Sequence, residues 1–291
     1  MNFINAVELI NICNKQNLKI SEAMINREML VFHSEKEQLV ERMTHSYNIM
    51  KNAVHKALQD DLISIGGLIG GEAKKIYARS EMEESVCGGL ISKAISYAVG
   101  VLEVNSSMGL IVAAPTAGSS GVIPGAFIAI QEAFNLPDEK MILALFNAGA
   151  VGYLITRNAT VSGAEGGCQA EVGAASAMAA SAICELKGGT PSQCLDAAST
   201  ALSNVLGLVC DPIAGLVEAP CQKRNAMGVS NALISAEMTL CGIKQVVPFD
   251  ETVEAMYKVG KSMPSELRET AMGGIAATPT GCQLCSQIFN S

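Results

Sequence analysis

Three of the ten cysteines lie where the chain passes from a loop into a predicted helix, each beside Gly or Pro: Cys168, Cys210 and Cys221. Exposed backbone amides at such places stabilise sulfide and thiolate and lower thiol pKa values. The three thiols could therefore bind a metal or act as nucleophiles. No C-x-x-C pair occurs within this trio, so local spacing alone does not identify a metal site.

Five other cysteines occupy predicted helices or their apolar surroundings. We predict that they are small buried hydrophobic residues without a chemical role. They are Cys13, Cys87, Cys184, Cys194 and Cys241. A chain of 291 residues can bury a large core without disulfides, so we expect free thiols throughout.

Polar, glycine-rich segments interrupt the helical sequence at residues 105–109, 115–121 and 162–168. Hydroxyl groups and free backbone amides near a helix start can bind a substrate carboxylate. The same Ser and Thr residues could instead cap helices. Both interpretations remain open at this point.

The elements that would position these segments are helices. Apolar residues recur at steps of three and four from Leu39 to Leu58 and again from Leu90 to Leu102. Capping boxes are predicted at Ser34–Glu37 and Thr190–Gln193. We predict an all-α fold, a compact helical domain with Gly-rich loops around the site. Residues 1–64 are expected to form an N-terminal helical segment packed on a catalytic domain, residues 65–291.

Composition excludes several classes of partner. The formal net charge is −8 and no basic block occurs, which argues against nucleic acid. The apolar stretch 141–156 is short for a bilayer span and contains Asn147. The first residues lack the basic and apolar regions of a signal peptide. We therefore expect a cytoplasmic location and no membrane interaction.

The glycine-rich turn 66–71 lacks the spacing of a phosphate loop and is expected to be a flexible connection.

Several separate motifs carry a family resemblance. The stretches 163–173, 208–218 and 220–226 resemble the alpha-subunit family of bacterial iron–sulfur L-serine dehydratases, and each contains one cysteine of the trio. Residues 105–109, 115–119 and 273–281 agree as well. The resemblance covers most of the chain, and its motifs occur in the same order.

The resemblance implies a 4Fe–4S cluster held by Cys168, Cys210 and Cys221. Three protein ligands leave one iron open, and an open iron acts as a Lewis acid toward a hydroxyl group. The implied reaction removes water from L-serine and gives pyruvate and ammonia after the enamine hydrolyses. Pyridoxal phosphate would not be needed.

The resemblance also implies residues that contact the substrate. The predicted substrate-binding residues are Asn105, Ser106, Ser107, Thr116, Ala117, Gly118 and Gly121. The candidates for the catalytic base are Lys74, Ser119 and Ser120, with His55 and Glu165 as further possibilities. The family more commonly has Cys where this chain has Ser120.

A second chain is expected, because single-chain members of the family join a further domain to the catalytic one and 291 residues leave no room for it. An exposed apolar patch should mark where this beta subunit binds. The tail carries a C-x-x-C pair, Cys282 and Cys285. We favour incidental thiols on a flexible end over a thiol that covers the open iron.

Three alternatives remain open. An L-cysteine desulfidase or L-threonine dehydratase could use the same open iron. A redox or cluster-carrier protein could use the same three cysteines, although the polar loops favour a substrate pocket. A helical scaffold with inert thiols is the third, and iron and sulfide determination would separate it from the others.

Overall fold

The computed structural model describes residues 2–82 and 85–290, and their regular secondary structure is helical. The helices are α1 (Ala6–Gln16), α2 (Ile20–Phe32), α3 (Lys36–Gln59), α4 (Glu72–Ser80), α5 (Gly88–Ser106), α6 (Val122–Phe134), α7 (Asp138–Asn158), α8 (Gly163–Gly166), α9 (Ala174–Leu186), α10 (Pro191–Ser203), α11 (Cys221–Leu240), α12 (Phe249–Ser262) and α13 (Pro279–Asn290). Within the described ranges the β-type pairing is one isolated bridge between Cys210 and Arg268. The predicted all-α fold is confirmed.

Helix α9 forms the centre of the molecule. Its residues from Ala174 to Glu185 are buried and mostly Ala or Ser, and it packs against α6, α7, α10 and α11. Close approach also brings α6 against α5. A Cβ on Gly121 or Gly125 would lie 2.1 or 2.7 Å from a backbone carbonyl oxygen of α5. The core is therefore formed largely by closely packed helices with small side chains, in a chain that has no Trp and few aromatic residues.

The N-terminal helices join this core. Helix α2 packs on α7, and α3 packs on α5 and α7. A buried polar network connects α2, α7 and α9: Asn147 donates 2.8 Å to Glu185, which also accepts the backbone N–H of Ser21, and Ser181 donates 2.6 Å to Asn147. One hydrophobic core runs through residues from Phe3 to Met256. The division at residue 64 stays a prediction.

Asn147 is fully buried within this polar network. Across residues 2–82 and 85–290, the helices are too short or too polar to cross a membrane.

The two predicted capping boxes have different outcomes. At Thr190 the side chain accepts from the Gln193 backbone N–H, and the Gln193 side chain accepts in return, as predicted. At the start of α3 the prediction is wrong by one residue. Glu35 is the N-cap and its N–H donates 3.1 Å to Gln38, whereas the Ser34 hydroxyl donates back to Phe32.

The glycine-rich turn before α4 donates hydrogen bonds to a carboxylate of the same chain, that of Glu218. The Glu218 carboxylate accepts the N–H of Gly66 at 2.7 Å, the N–H of Leu68 at 3.1 Å and the Ser64 hydroxyl at 2.6 Å. A Cβ on Gly66 would lie 2.5 Å from the Leu216 side chain. The turn therefore attaches to the segment that precedes Cys221, instead of forming a free connection.

A second buried carboxylate lies where α4, α5 and α11 meet. Glu103 is 1% exposed and accepts the Ala73 N–H at 3.0 Å and the Gln222 amide at 3.3 Å. The same Gln222 amide contacts Glu72 at 3.3 Å. Burial raises the pKa of Glu103 from 4.5 to about 7, and the neighbouring Glu72 contributes to the rise.

This shift predicts a pH dependence of stability. Because the folded pKa of Glu103 lies above its unfolded value, the folded state takes up the proton more readily. The resulting stability is complete below about pH 4.5 and is lost as the pH rises through about 7. After allowance for solvent screening we expect the free energy of unfolding to fall on the order of 2 kcal/mol across this window.

Thermal unfolding of wild type and Glu103→Gln, measured anaerobically at several pH values, checks this prediction. The variant should lose less stability between pH 5 and pH 8 than wild type. Glu237→Gln on the exposed face of α11 is the matched control and should follow the wild-type curve. Parallel curves for wild type and Glu103→Gln would contradict the assigned pKa.

Candidate functional site

Three separate loops supply the three cysteines. Cys168 follows α8 and Gly167, whose φ of +75° suits only glycine without strain. Cys210 lies in the loop after α10, and Cys221 is the first residue of α11. All three side chains are buried. Cys168 and Cys221 thus lie at loop–helix boundaries, as the sequence predicts, whereas Cys210 lies within the loop and forms the isolated bridge with Arg268.

Two of these thiols form a group with a carboxylate. The sulfur atoms of Cys168 and Cys210 and an oxygen of Glu171 lie within 4.8 Å of one another. A hydrogen bond from Cys210 and the charge of Arg224 hold the pKa of Cys168 below its usual range. The same hydrogen bond and burial raise the pKa of Cys210. Cys168 is thus the more acidic thiol of the pair.

Cys221 lies outside that 4.8 Å group but within its electrostatic reach. Burial raises the pKa of the Cys221 thiol to about 12, and the charges of Cys168 and Glu171 add to the effect. Charge effects of this kind act over short distances in a buried site. The assignment of Cys221 as the third ligand stays a prediction.

Arg224 lies in the first turn of α11, the helix that begins with Cys221. From there its side chain contacts the segments that carry Cys168 and Cys210. Its guanidinium donates to the Cys168 sulfur at 3.5 Å and to the Val209 carbonyl at 2.8 Å. It also pairs with the buried Asp211 carboxylate at 2.6 Å. These contacts hold the Cys168 and Cys210 loops together.

Glu171 is the functional candidate that sequence reasoning missed. It lies in the π-helical turn Gln169–Gly173, a geometry frequent at functional sites. Its carboxylate accepts the Thr116 hydroxyl at 2.8 Å and the Cys210 thiol at 3.6 Å. Burial raises its pKa, and the charge of Glu269 adds to the rise. A carboxylate inside an otherwise Ala- and Gly-rich helical stretch was the available signal, whereas the candidate base Glu165 is exposed.

The loop 116–121 reaches the same site from the other side. Asn225 donates 2.7 Å to the Gly118 carbonyl and 2.9 Å to the Cys221 carbonyl, and it accepts the Gly121 N–H at 3.1 Å. Glu171 connects Thr116 to Cys210. The structure therefore brings this predicted substrate loop, including Ala117, next to the cysteine segments.

The predicted residues of the 105–109 loop have mainly local contacts. The Ser106 hydroxyl donates 2.7 Å to the Leu102 carbonyl, and the Ser107 hydroxyl donates 3.1 Å to the Val104 carbonyl. Both thus cap the end of α5, the simpler of the two interpretations that the sequence allowed. Asn105 is half-buried in the last turn of the same helix. Substrate contact by these three residues stays a prediction.

The candidate bases occupy different environments. Ser119 and Ser120 are fully buried, and their hydroxyls bond within the 116–120 turn. The Lys74 ammonium donates to the Gln59 carbonyl at 3.2 Å and to the exposed Asp61 carboxylate at 2.6 Å. His55 is exposed on α3. A base role for Lys74, Ser119 or Ser120 stays a prediction.

The remaining cysteines require two corrections. Cys13, Cys184 and Cys194 are buried as predicted, but Cys87 and Cys241 are exposed. Both of these lie at helix ends, Cys87 before α5 and Cys241 after α11, where the helix no longer covers the side chain. The tail that we expected to be flexible forms α13, with Cys282 exposed and Cys285 half-buried, and it packs beside the turn 213–215.

Comparison with known proteins gives the same family throughout. The family model described as "Serine dehydratase alpha chain" matches residues 15–276. The "Probable L-serine dehydratase, alpha chain" of Bacillus subtilis (strain 168) is 52% identical over 287 residues, 99% of this chain and 95% of that protein. The "L-serine dehydratase, alpha chain" of Peptoniphilus asaccharolyticus is 45% identical over 276 residues, covering 95% and 94%.

A longer relative extends the comparison. "L-serine dehydratase 2" of Escherichia coli (strain K12) is 33% identical over 287 residues, which are 96% of this chain but 62% of that protein. The match with the family model and the near-complete coverage of two alpha chains leave one conclusion. The chain belongs to the serine dehydratase alpha chain family.

Proposed function

We propose that this chain is the catalytic subunit of an L-serine dehydratase that forms pyruvate and ammonia with a 4Fe–4S cluster. The observation that carries the proposal is the buried contact of Cys168 and Cys210 with Glu171, which joins them to the Thr116 loop. The site thus combines soft metal ligands with a polar loop suited to a small substrate. Family membership supports serine as that substrate.

The donor set fits an iron–sulfur cluster. Thiolates are its usual protein ligands, and a third cysteine, Cys221, begins the adjacent helix. A Cβ on Gly163 would lie 3.1 Å from the Cys210 sulfur and 2.4 Å from Glu171, so only glycine lets this loop pass beside both donor groups. When bound with three protein ligands, such a cluster supplies an iron that acts as a Lewis acid toward the serine hydroxyl.

The chain's own residues would perform the other tasks. Arg224 and Asp211 fix the loops of Cys168 and Cys210. Asn225 fixes the 116–121 loop by its bonds to Gly118 and Gly121, and the backbone N–H groups of Ala117 and Gly118 are proposed to bind the substrate carboxylate. The base that removes the α-proton is proposed among Ser119, Ser120 and Lys74. The three cysteines are buried, which would limit the access of water to the reacting group.

A companion beta chain is part of the proposal. Two relatives are named alpha chains, and this chain spans about three fifths of the longer Escherichia coli relative. Large apolar side chains are exposed beside the 105–109 loop, namely Ile63, Ile65, Met108 and Leu110. The N–H of Ile65 donates to the Ser106 carbonyl, so the two segments form one surface. This surface is our candidate seat for the beta chain.

The cytoplasm is the proposed location. All ten cysteines are free thiols, including two in the cluster-binding group, and a reducing compartment preserves such thiols.

Anaerobic purification tests the proposal. We expect iron and sulfide in equal amounts and pyruvate formation from L-serine, assayed with and without the beta chain. Parallel assays with L-threonine and L-cysteine separate the dehydratase from a threonine dehydratase or a cysteine desulfidase. Iron without turnover of any of the three amino acids would favour a redox or carrier protein instead.

Removal of iron gives a further prediction. An iron without a thiolate ligand is released readily on oxidation, so exposure to air followed by chelation should abolish activity. Ferrous iron with a reductant should restore most of it. Cluster absorbance and pyruvate formation are followed together during both steps. Full activity after prolonged aerobic chelation would contradict a catalytic role for an open iron.

A further inference from the structure

A buried carboxylate in the site has only neutral hydrogen-bond partners. Glu171 is 8% exposed and its oxygens accept from the Thr116 hydroxyl and the Cys210 thiol. The nearby guanidinium of Arg224 makes its ion pair with Asp211 instead. Buried carboxylates are normally compensated by a cation, because desolvation of an unpaired charge costs several kcal/mol. Glu171 is therefore placed to accept a positively charged group.

Two glycines keep side chains away from this carboxylate. A Cβ on Gly118 would lie 3.0 Å from one Glu171 oxygen, and a Cβ on Gly163 would lie 2.4 Å from the other. Each glycine belongs to one of the polar loops around the site. The carboxylate thus lies at the junction of the two loops, where backbone and not side chains approaches it.

The short distance between the ammonium and the hydroxyl of L-serine bears on where a partner for the ammonium must lie. In L-serine the ammonium and hydroxyl groups are on adjacent carbons and lie about 3–4 Å apart, as standard bond lengths dictate. A serine hydroxyl on an iron held beside the cysteine group would therefore place the ammonium in the same part of the site. A Glu171 oxygen lies within 4.8 Å of the Cys168 and Cys210 sulfurs. Glu171 is thus a carboxylate next to the residues that would hold that iron.

We propose that Glu171 binds the ammonium group of the substrate and thereby selects α-amino-β-hydroxy acids over hydroxy acids that lack the amine. The inference rests on the proposed serine dehydratase function. It divides recognition between two elements: the 116–121 loop takes the carboxylate, and Glu171 takes the ammonium. The Thr116 hydroxyl fixes the orientation of Glu171 by its 2.8 Å hydrogen bond.

The test compares two ligands that differ in the amine. Because the wild-type protein is expected to turn L-serine over, its affinity for L-serine is measured as the KM of pyruvate formation. Binding of 3-hydroxypropionate, which lacks the ammonium, is measured by anaerobic calorimetry, and both measurements use the iron-loaded protein with its beta chain. Measurements cover wild type and Glu171→Gln, and iron and sulfide contents are determined for each. We expect the variant to bind L-serine about 10- to 100-fold more weakly, the usual cost of a charge-assisted hydrogen bond. Its affinity for 3-hydroxypropionate should change by less than about 3-fold.

Glu269→Gln is the matched control, since Glu269 is an exposed carboxylate close enough to influence Glu171. It should retain the wild-type preference for L-serine. Equal weakening of both ligands in Glu171→Gln would overturn the proposal, and so would loss of the preference in Glu269→Gln alone. If Glu171→Gln takes up less iron, Glu171→Asp replaces it, and the preference for L-serine must then survive because the charge remains.

Failure of the proposed function gives a different result. In that case the wild-type protein itself would lack iron or leave L-serine unchanged. The ammonium proposal fails instead when wild type prefers L-serine and turns it over, but Glu171→Gln keeps the same preference.

Discussion

Replacement of Cys210 by Ser should remove the absorbance of the proposed cluster and pyruvate formation together. The Cys210 sulfur lies within 4.8 Å of both the Cys168 sulfur and Glu171, and it donates to the Glu171 carboxylate at 3.6 Å. A serine hydroxyl is a poor ligand for a soft iron–sulfur site. We expect iron content to fall by more than about 10-fold, and activity to fall below detection.

Cys184→Ser is the control for that experiment. Cys184 is also fully buried and also lies close to a second cysteine, Cys194, but on α9 and α10 away from the polar loops. Its replacement should lower stability slightly and leave iron content and absorbance unchanged. The same comparison applies to Cys168→Ser and Cys221→Ser. Loss of the chromophore in Cys184→Ser with retention in Cys210→Ser would show that the cluster site is misassigned.

Replacement of Arg224 by Gln is expected to have the next largest effect. One guanidinium holds Cys168, Val209 and Asp211, and removing it leaves the Asp211 carboxylate buried without its partner. Breaking a buried pair of this kind costs about 3–5 kcal/mol. We expect a lower unfolding temperature and about a 10- to 100-fold loss of cluster occupancy or activity. Arg224→Lys should restore part of both, since it keeps the charge but not the planar fork.

Lys223→Gln is the matched control, because Lys223 is next to Arg224 in the sequence but its side chain is exposed. It should behave as wild type in thermal unfolding and in iron content. The double variant Asp211→Asn with Arg224→Gln separates stability from cluster binding. Removal of both charges should recover most of the unfolding temperature without recovering iron. Wild-type iron content in Arg224→Gln would rule out a role for this residue at the site.

Local patterns in the sequence predicted helix ends and the three loop cysteines. The Thr190 capping box depends on residues three apart, and its prediction succeeded for that reason. The burial predicted for Cys87 and Cys241 from their sequence neighbours is wrong. Both have apolar neighbours in sequence, yet their exposure depends on whether another helix covers them, and the pattern carries no such information.

The contacts that define the site are separated too widely in sequence for a local pattern to show them. Glu171 and Thr116 are 55 positions apart, and Gly66 and Glu218 are 152 apart. The turn at Gly66 was interpreted as a flexible connection because its partner lies in another part of the chain. The family resemblance supplied the three cysteines together, but it assigned no role to Glu171 or Arg224.

The loop that carries Cys210 is completed by residues made much later. The Cys210 N–H donates to the Leu267 carbonyl at 2.9 Å, and the Cys210 carbonyl accepts the Glu269 N–H at 2.7 Å. The side chain of the adjacent Asp211 accepts the Ile275 N–H at 2.7 Å. During translation the ribosome needs roughly 3–13 s to proceed from Cys210 to Ile275. Throughout that interval the nascent Cys168 and Cys210 lack their final enclosure. Reductants in the surroundings, and not the finished fold, would then have to keep these thiols reduced for the cluster that we propose.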